Sequence, residues 1–305
     1  MLLLITDSHD VTSDCIVKKW DSLEYNDYFR FNTDLYEYYS IELTSEGFVI
    51  KDPQERQISH DTLTSLYWRK PWMTIQPERY SQEDFENTQR KYFIRELANL
   101  CIQKYHVYHL VEPNAEHRVG KIIQMTTGSR YFTIPEWKIV SGNKVKTEQP
   151  PWLIKTLYSM RVGHQSPIVS SWDKDTLSPQ YQWFLQKEAK GEFDVTVVYV
   201  NGTHFAYRLR REHLDCRFDI NETMSWEKFT LDNKVQDSIQ AYMNELDLRY
   251  GRLDFIQDKA GNLYFLEVNP NGQFAWLDLD DSDGLISCVA QNAINHAYTQ
   301  RTFNM

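Results

Sequence analysis

Residues 250–278 read YGRLDFIQDKAGNLYFLEVNPNGQFAWLD, two strand-like runs around a polar turn, followed by an Asn-Pro-Asn-Gly segment. RLDFIQ (252–257) and LYFLEV (263–268) flank Lys259, Ala260, Gly261 and Asn262, a pattern that predicts an antiparallel hairpin. With Asp258 facing Leu263 across a four-residue loop, four steps back along each strand bring Asp254 opposite Glu267. Cross-strand partners share a sheet face, and alternation along the strand adds Asn269 to that face. Two carboxylates held together repel unless a cation joins them or one takes up a proton. Hard oxygen donors of this kind suit Mg²⁺, which prefers a few carboxylates completed by water and substrate phosphates. For a single Asp/Glu pair, the plain alternative is a solvated hairpin face with incidental acids.

Outward from this hairpin, the chain has the profile of an ordinary globular protein. Its 305 residues are about two average domains' worth, 41% hydrophobic and 25% charged. The formal charge of −10 argues against a nucleic-acid partner read mainly through phosphates, so any anionic ligand must be met by local positive charge. Cys15, Cys101, Cys216 and Cys288 lie far apart with no CxxC pair, which points to a reduced, cytoplasmic setting. MLLLIT offers five apolar residues before Asp7, too few for a signal segment, and no run approaches the roughly 20 apolar residues of a membrane span. Leu2 to Ile5 reads instead as a buried first strand.

Up to about Tyr108, short apolar runs alternate with helical stretches, as in α/β units. A helix from Val11 to Trp20 is entered through Ser8 or Asp10, and DYFRFNTD is a second strand. Tyr39–Leu43 and Phe48–Lys51 predict a hairpin around Ser45, Glu46 and Gly47. SLYWRK is strand-like up to Pro71, and Gln82 to Gln103 is helical, with Phe85, Phe93, Leu97 and Leu100 available for one face. Pro113 and Asn114 end this unit and cap a helix running to about Thr127. Further on, FDVTVVYV and HFAYRLR surround the Asn201-Gly202 turn, and a helix runs from Asn233 to Leu246. The expected organisation is α/β (α+β), in three parts: 1–115, 116–185 and 186–305.

Searches for other chemistry are negative. There is no HExxH, zinc spacing, GxGxxG or P-loop, and LDLDDSDG (277–284) fails the EF-hand register for want of a closing Glu. That acidic run reads as a solvated loop. The polar segment Ser159–Gln165, with Arg161, Gly163 and His164, suits a loop closing over phosphates, and His164 reads as an ordinary loop histidine.

Taken together, YGRLDF and GNLYFLEVNPNGQFAWLD resemble the metal-binding end of the ATP-grasp ligases. Within that group the chain is most similar to the graspetide synthetases, the microviridin-type maturases of ribosomal peptides. LLLITDSHD, FRFNTD and LYWRKP resemble that family's amino-terminal domain, and PNAEHRVGKIIQM and PWLIKTLY the segments that carry its two nucleotide-binding lysines. FLQKEA resembles the linker whose backbone meets adenine, and HLDCR the DxR element. One departure is plain: where many relatives read DIRVTVV this chain has EFDVTVV, placing Asp194 at a usual arginine position. Arg208, Arg210 and Arg211 are the candidates to stand in for it.

The resemblance implies an ATP-grasp fold with an amino-terminal domain, a central subdomain and a carboxy-terminal subdomain holding Mg²⁺. It implies ATP bound by Lys121, Lys155, Gln186, Lys187, Glu188 and Ala189, and Mg²⁺ held by Asp254, Glu267 and Asn269. Arg217 and Asp215 would act on the acylphosphate, and Arg69 would meet an acidic side chain of the substrate. The implied partner is a ribosomal precursor peptide with a leader and an acidic core, not a nucleic acid or a membrane, and a homodimer is left open. The activity implied is ATP-dependent ligation of side chains into lactone or lactam rings. The alternatives are a RimK-like ligase adding an amino acid to a protein or small molecule, and a silent relative that only binds nucleotide or peptide. Local physics leaves room for plainer roles. Lys155 lies among Trp152, Leu153 and Ile154, where an unpaired ammonium is costly to bury, yet it suits a solvent-facing strand lysine equally well. Lys121 reads as an exposed helix lysine, Arg217 as a surface ion pair with Asp215, and Arg69 beside Lys70 as structure on an edge strand.

Overall fold

A computed structural model of the chain describes residues 1–71, 81–142, 152–157, 170–171, 180–212 and 225–303. In chain order the first elements are β1 (Leu2–Thr6), α1 (Val11–Ser22), β2 (Tyr28–Asn32), β3 (Ser40–Leu43), β4 (Phe48–Lys51), β5 (Gln57–Ser59), β6 (Ser65–Trp68), α2 (Gln82–Gln103) and β7 (Tyr108–His109). There follow α3 (Ala115–Arg118), α4 (Lys121–Gly128), β8 (Trp137–Val140), β9 (Leu153–Lys155), β10 (Ser170–Ser171), β11 (Trp183–Gln186), β12 (Phe193–Val200) and β13 (Thr203–Arg210). The last are β14 (Glu227–Lys228), α5 (Asn233–Glu245), β15 (Tyr250–Gln257), β16 (Leu263–Asn269) and α6 (Leu285–Phe303). No helix among the described residues is long and apolar enough to cross a membrane.

Contacts divide the chain into two compact units: Met1–Ala115 with Leu248–Tyr250 and Pro270–Met305, and Glu116–Asp247 with Gly251–Asn269. The carboxy-terminal segment, expected within 186–305, therefore groups with the amino-terminal part. The reason is local: α6 lies along α1 and β6, and the buried Trp20 indole donates to Ala290 O at 3.0 Å.

The first unit is built on a parallel sheet in the order β2-β1-β6-β7. β1 has neighbours on both edges and all five of its residues are buried, as a near-continuous apolar run demands. Asp10 caps α1, its carboxylate accepting from Ser13 N at 3.1 Å. A separate antiparallel sheet, β3-β4-β5, contains the expected hairpin. α2 has the expected limits and buries Leu97 as expected, but together with Ile94, Ala98 and Cys101, while Phe93 and Leu100 are half-buried and Phe85 is exposed. The acidic run 277–284 is not simply solvated. Asp278 is buried and accepts from Asp283 N and Leu285 N, capping the start of α6, and Asp281 pairs with Lys19 at 2.9 Å.

The second unit holds two sheets, β10-β9-β11-β8 and β14-β13-β12-β15-β16. The helix expected from 115 to 127 is broken, with α3 ending at Arg118 and Gly120 serving as N-cap of α4. β12 and β13 pair in register around Asn201 and Gly202, both at positive φ as the tight turn requires. α5, capped by Asp232, contributes Tyr242, whose ring meets Phe132 and Phe265. Phe132 stacks on Phe265 at 4.9 Å, and Phe255 closes the aromatic cluster at 5.5 Å.

Candidate active site

The β15–β16 hairpin brings Asp254 opposite Glu267, as the sequence predicts, but by a different route. Near the turn it is Gln257, not Asp258, that pairs with Leu263, and this register continues to Phe255 opposite Phe265. A β-bulge at Leu266 then inserts one unpaired residue and restores the Asp254–Glu267 pairing. The insertion has a packing cause. In an unbroken strand residues 265 and 267 share a face; the bulge lets Phe265 enter the aromatic core, fully buried, while Glu267 faces the other way with Asp254.

Arg252, which sequence reasoning passed over, lies opposite Asn269 and donates to Asp254 Oδ2 at 3.1 Å. Its place two residues before Asp254 on the same strand was the signal for it. Thr196 on β12 donates to the other oxygen, Asp254 Oδ1, at 2.8 Å. Asp194, two residues before Thr196, alternates onto the same face, so a further carboxylate stands at the position where the resemblance leads one to expect an arginine.

Lys121, the first residue of α4, is not an exposed helix lysine. Its Nζ lies 3.0 Å from Glu267 Oε2, donates to Thr156 O at 3.3 Å and stands 5.6 Å from the centroid of the Phe184 ring. α4 is held against the hairpin by Gln124, whose side-chain oxygen accepts from Val268 N at 3.0 Å. Lys155 ends β9 and donates to Gln186 Oε1 on β11 at 2.6 Å, the two side chains sharing a face with Phe184. Burial lowers the Lys155 pKa to about 8, an effect that Glu267 and Asp254 oppose and the Lys121 and Arg211 charges reinforce. Burial works against the Glu267 charge as well, but the ammonium groups of Lys121 and Lys155 prevail and hold its carboxyl below the usual range.

The structure thus brings Lys121, Lys155, Gln186, Asp254 and Glu267 together, with Asn269 on the hairpin face beside Arg252. In the linker after β11, Lys187 N donates to Glu136 O at 2.8 Å and its ammonium pairs with Glu136, while Ala189 O accepts from Arg211. The Lys187 amide is therefore engaged within the protein. Glu188 lies between these two anchored residues. Asp215, Arg217 and the loop Ser159–Gln165 lie outside the described residues.

Arg69 belongs to the first unit. Just past β6, an inner strand rather than an edge, its side chain is fully buried. It reaches Asp10 Oδ2 at 3.5 Å, Asn271 Oδ1 at 2.8 Å, Asn271 O at 3.3 Å and Gly272 O at 3.1 Å. As placed, this guanidinium binds its own chain through Nε and Nη1, and its Nη2 has no hydrogen-bond partner among the described residues.

Among the described residues no group of three or more His, Cys, Asp or Glu side chains is arranged to hold a metal. Asp254, Glu267 and Asn269 offer two carboxylates and an amide on one half-buried face, a donor set that fits an oxygen-seeking cation completed by ligand and water. Both carboxylates are here paired with cationic side chains, Lys121 and Arg252.

These features define a known architecture. No family model and no curated protein matches the chain by sequence. Among solved structures it is similar to the macrocyclase MdnC bound with precursor peptide MdnA from Microcystis aeruginosa, with a TM-score of 0.79 and 18% identity over 96% of this chain and 99% of that one. It is similar to a RiPP-associated ATP-grasp ligase from Chryseobacterium gregarium in complex with ADP and a leader and core peptide, with a TM-score of 0.79 and 16% identity over 96% of each chain. The ATP-grasp ligase PsnB, complexed with minimal precursor, Mg and ADP, matches with a TM-score of 0.72 and 14% identity over 97% of this chain and 96% of that one. The chain has the ATP-grasp fold.

Proposed function

We propose that this protein is an ATP-dependent carboxylate ligase that joins side chains within a ribosomally made precursor peptide. The observation that carries the reading is the charge balance of the hairpin face. Lys121, Lys155, Arg252 and the nearby Arg211 outnumber Asp254, Glu267 and Asp194 by one, leaving a surplus of positive charge in a half-buried place where charge interacts strongly. A polyanion such as the triphosphate of ATP relieves that surplus. The full-length likeness to ligases solved with ADP, Mg and precursor peptides supports the same assignment.

In this reading Lys121 and Lys155 hold the nucleotide phosphates, and the segment Gln186–Ala189 lies along the base. Asp254, Glu267 and Asn269 hold Mg²⁺, which when bound supplies a Lewis acid for the phosphates. A carboxylate oxygen of a peptide Asp or Glu attacks the γ-phosphorus and ADP departs. A Thr or Ser hydroxyl, or a Lys amine, of the same peptide then attacks the acyl carbon and phosphate departs, closing a lactone or lactam. The peptide loses one water for each ATP converted to ADP and phosphate. Arg252, bonded to Asp254, fixes that carboxylate's orientation and offers a fork toward developing negative charge. Asp215 and Arg217 are proposed to act on the acylphosphate.

The test is to incubate the protein with Mg-ATP and an acidic Thr-, Ser- or Lys-containing peptide encoded beside it, and to record intact peptide mass. Loss of water, absent with Asp254→Asn, is the expected result. ADP release driven by a free amino acid, with the peptide mass unchanged, would transfer the assignment to a RimK-like ligase.

A further inference from the structure

Three arginines close β13 or follow it, and the strand register separates them. Arg208 pairs with Val195 and Arg210 with Phe193, on the face away from Thr196 and Asp254. Arg208 is occupied there: its guanidinium lies 4.6 Å from the Phe193 ring centroid and 5.4 Å from that of Phe229, and it bonds Glu227 at 2.6 Å. Arg210 is exposed. One step on, Arg211 turns back toward the face of Asp254. Its backbone N–H donates to Glu192 O at 2.8 Å, and its Nη1 donates to Ala189 O at 3.1 Å.

One residue therefore grips the linker after β11 at two points. That linker is tightly seated elsewhere too. Glu192 N donates to Gln257 O at 2.8 Å, and a Cβ at Gly191 would stand 2.3 Å from Ile256 Cγ2, so only glycine lets the chain pass so close to β15. The linker follows directly on Gln186, the last residue of β11 and the hydrogen-bond partner of Lys155. Whatever holds Ala189 thus bears on the segment proposed to meet the base and, through Gln186, on a lysine proposed to meet the phosphates.

We propose that Arg211 is a nucleotide-positioning residue, whose guanidinium clamps the Gln186–Ala189 segment so that base and phosphates are held in one geometry. This rests on the reading of the site as an ATP site. A fork with several fixed donors suits the task, whereas a lysine replaces it only in charge and in one bond.

The decisive measurement is calorimetric titration with Mg-ADP, which needs no peptide. Arg211→Gln is expected to weaken binding about tenfold, as for loss of one hydrogen bond from a charged donor. Arg211→Lys should recover part of that loss, and Arg208→Gln should bind as the unaltered protein does. In peptide-dependent turnover, Arg211→Gln should raise KM for ATP and leave KM for peptide in place, which general loosening of the fold would not do. Unaltered Mg-ADP binding by Arg211→Gln would overturn the assignment and leave the ATP reading standing. A loss that follows a lowered melting temperature, with no recovery in Arg211→Lys, would overturn it too. If the unaltered protein binds no Mg-ADP, the ATP reading falls first and this inference with it.

Discussion

Arg69 and Arg252 each stand beside an aspartate, Asp10 at 3.5 Å in one compact unit and Asp254 at 3.1 Å in the other, yet their surroundings differ in what governs ionic energetics. Arg69 and Asp10 are almost wholly removed from solvent, at 0% and 1% side-chain exposure, and backbone carbonyls of Asn271 and Gly272 take up further donors. One cation meets one anion. Arg252 and Asp254 retain about a quarter of their exposure, at 22% and 25%, among charges that do not cancel. A balanced buried pair leaves no net charge for a ligand to neutralise, whereas an unbalanced half-open set keeps an electrostatic demand that a ligand meets.

The largest stability effect should therefore come from the first pair. Arg69→Met strands Asp10 in the interior and is expected to cost about 3–5 kcal/mol in urea unfolding. Arg252→Met should cost less than about 1 kcal/mol, because water screens what remains. Equal costs would abolish the contrast. For activity the order reverses: Asp254→Asn should slow ADP release and peptide dehydration about 10²–10³-fold while leaving the unfolding midpoint nearly in place.

A smaller effect separates packing from charge. Gly191→Ala brings a methyl group to 2.3 Å from Ile256 and 2.5 Å from Gln257 O, and is expected to destabilise by about 1–3 kcal/mol, measured by thermal melting.

The smallest effect is a pH profile. Because burial lowers Lys155 to about 8, Mg-ADP affinity should fall as pH rises through that value. Between about 8 and the ordinary 10.5, the unfolded chain holds a proton that folded Lys155 lacks, so unliganded stability from this group rises with pH across that window. Glu267, also lowered, gives a slope of the same sign in a lower pH window. Its contribution is present above the ordinary carboxylate value and fades as pH falls through its lowered one. Urea midpoints measured on unaltered protein and Lys155→Met, against pH, separate the two.

Much of this site was legible in the sequence, because strand alternation and turn chemistry are local. The 193–210 hairpin, the limits of α2 and the capping of α1 by Asp10 follow from residues within a few positions of one another. The pairing of Asp254 with Glu267 was reached through a turn register one residue out, and the bulge at Leu266 compensated for it. That bulge answers to Phe132, Phe255 and Tyr242, partners remote in sequence. For the same reason the inward face of α2, the use of Arg69, and Asp278 as a helix cap could not be read from neighbours alone. Each depends on what a distant segment presents. The break at Gly120 was signalled by the glycine itself, and with it Lys121 stands at the start of a helix.

The bulge at Leu266 has a bearing on how such a chain tolerates change through descent. It divides the hairpin into two stretches with separate registers, so residues added to or lost from the turn at 258–262 can be absorbed on the far side of it without moving the acid pair. Losing Leu266 would be absorbed as well, because Phe265 and Glu267 would then be consecutive and alternate onto opposite faces with their present partners. Drawing Leu266 into a regular ladder is another matter, since Phe265 and the acid at 267 would then compete for one side of the sheet. What a lineage must keep is the opposition of these two side chains, either through one unpaired residue between them or through none.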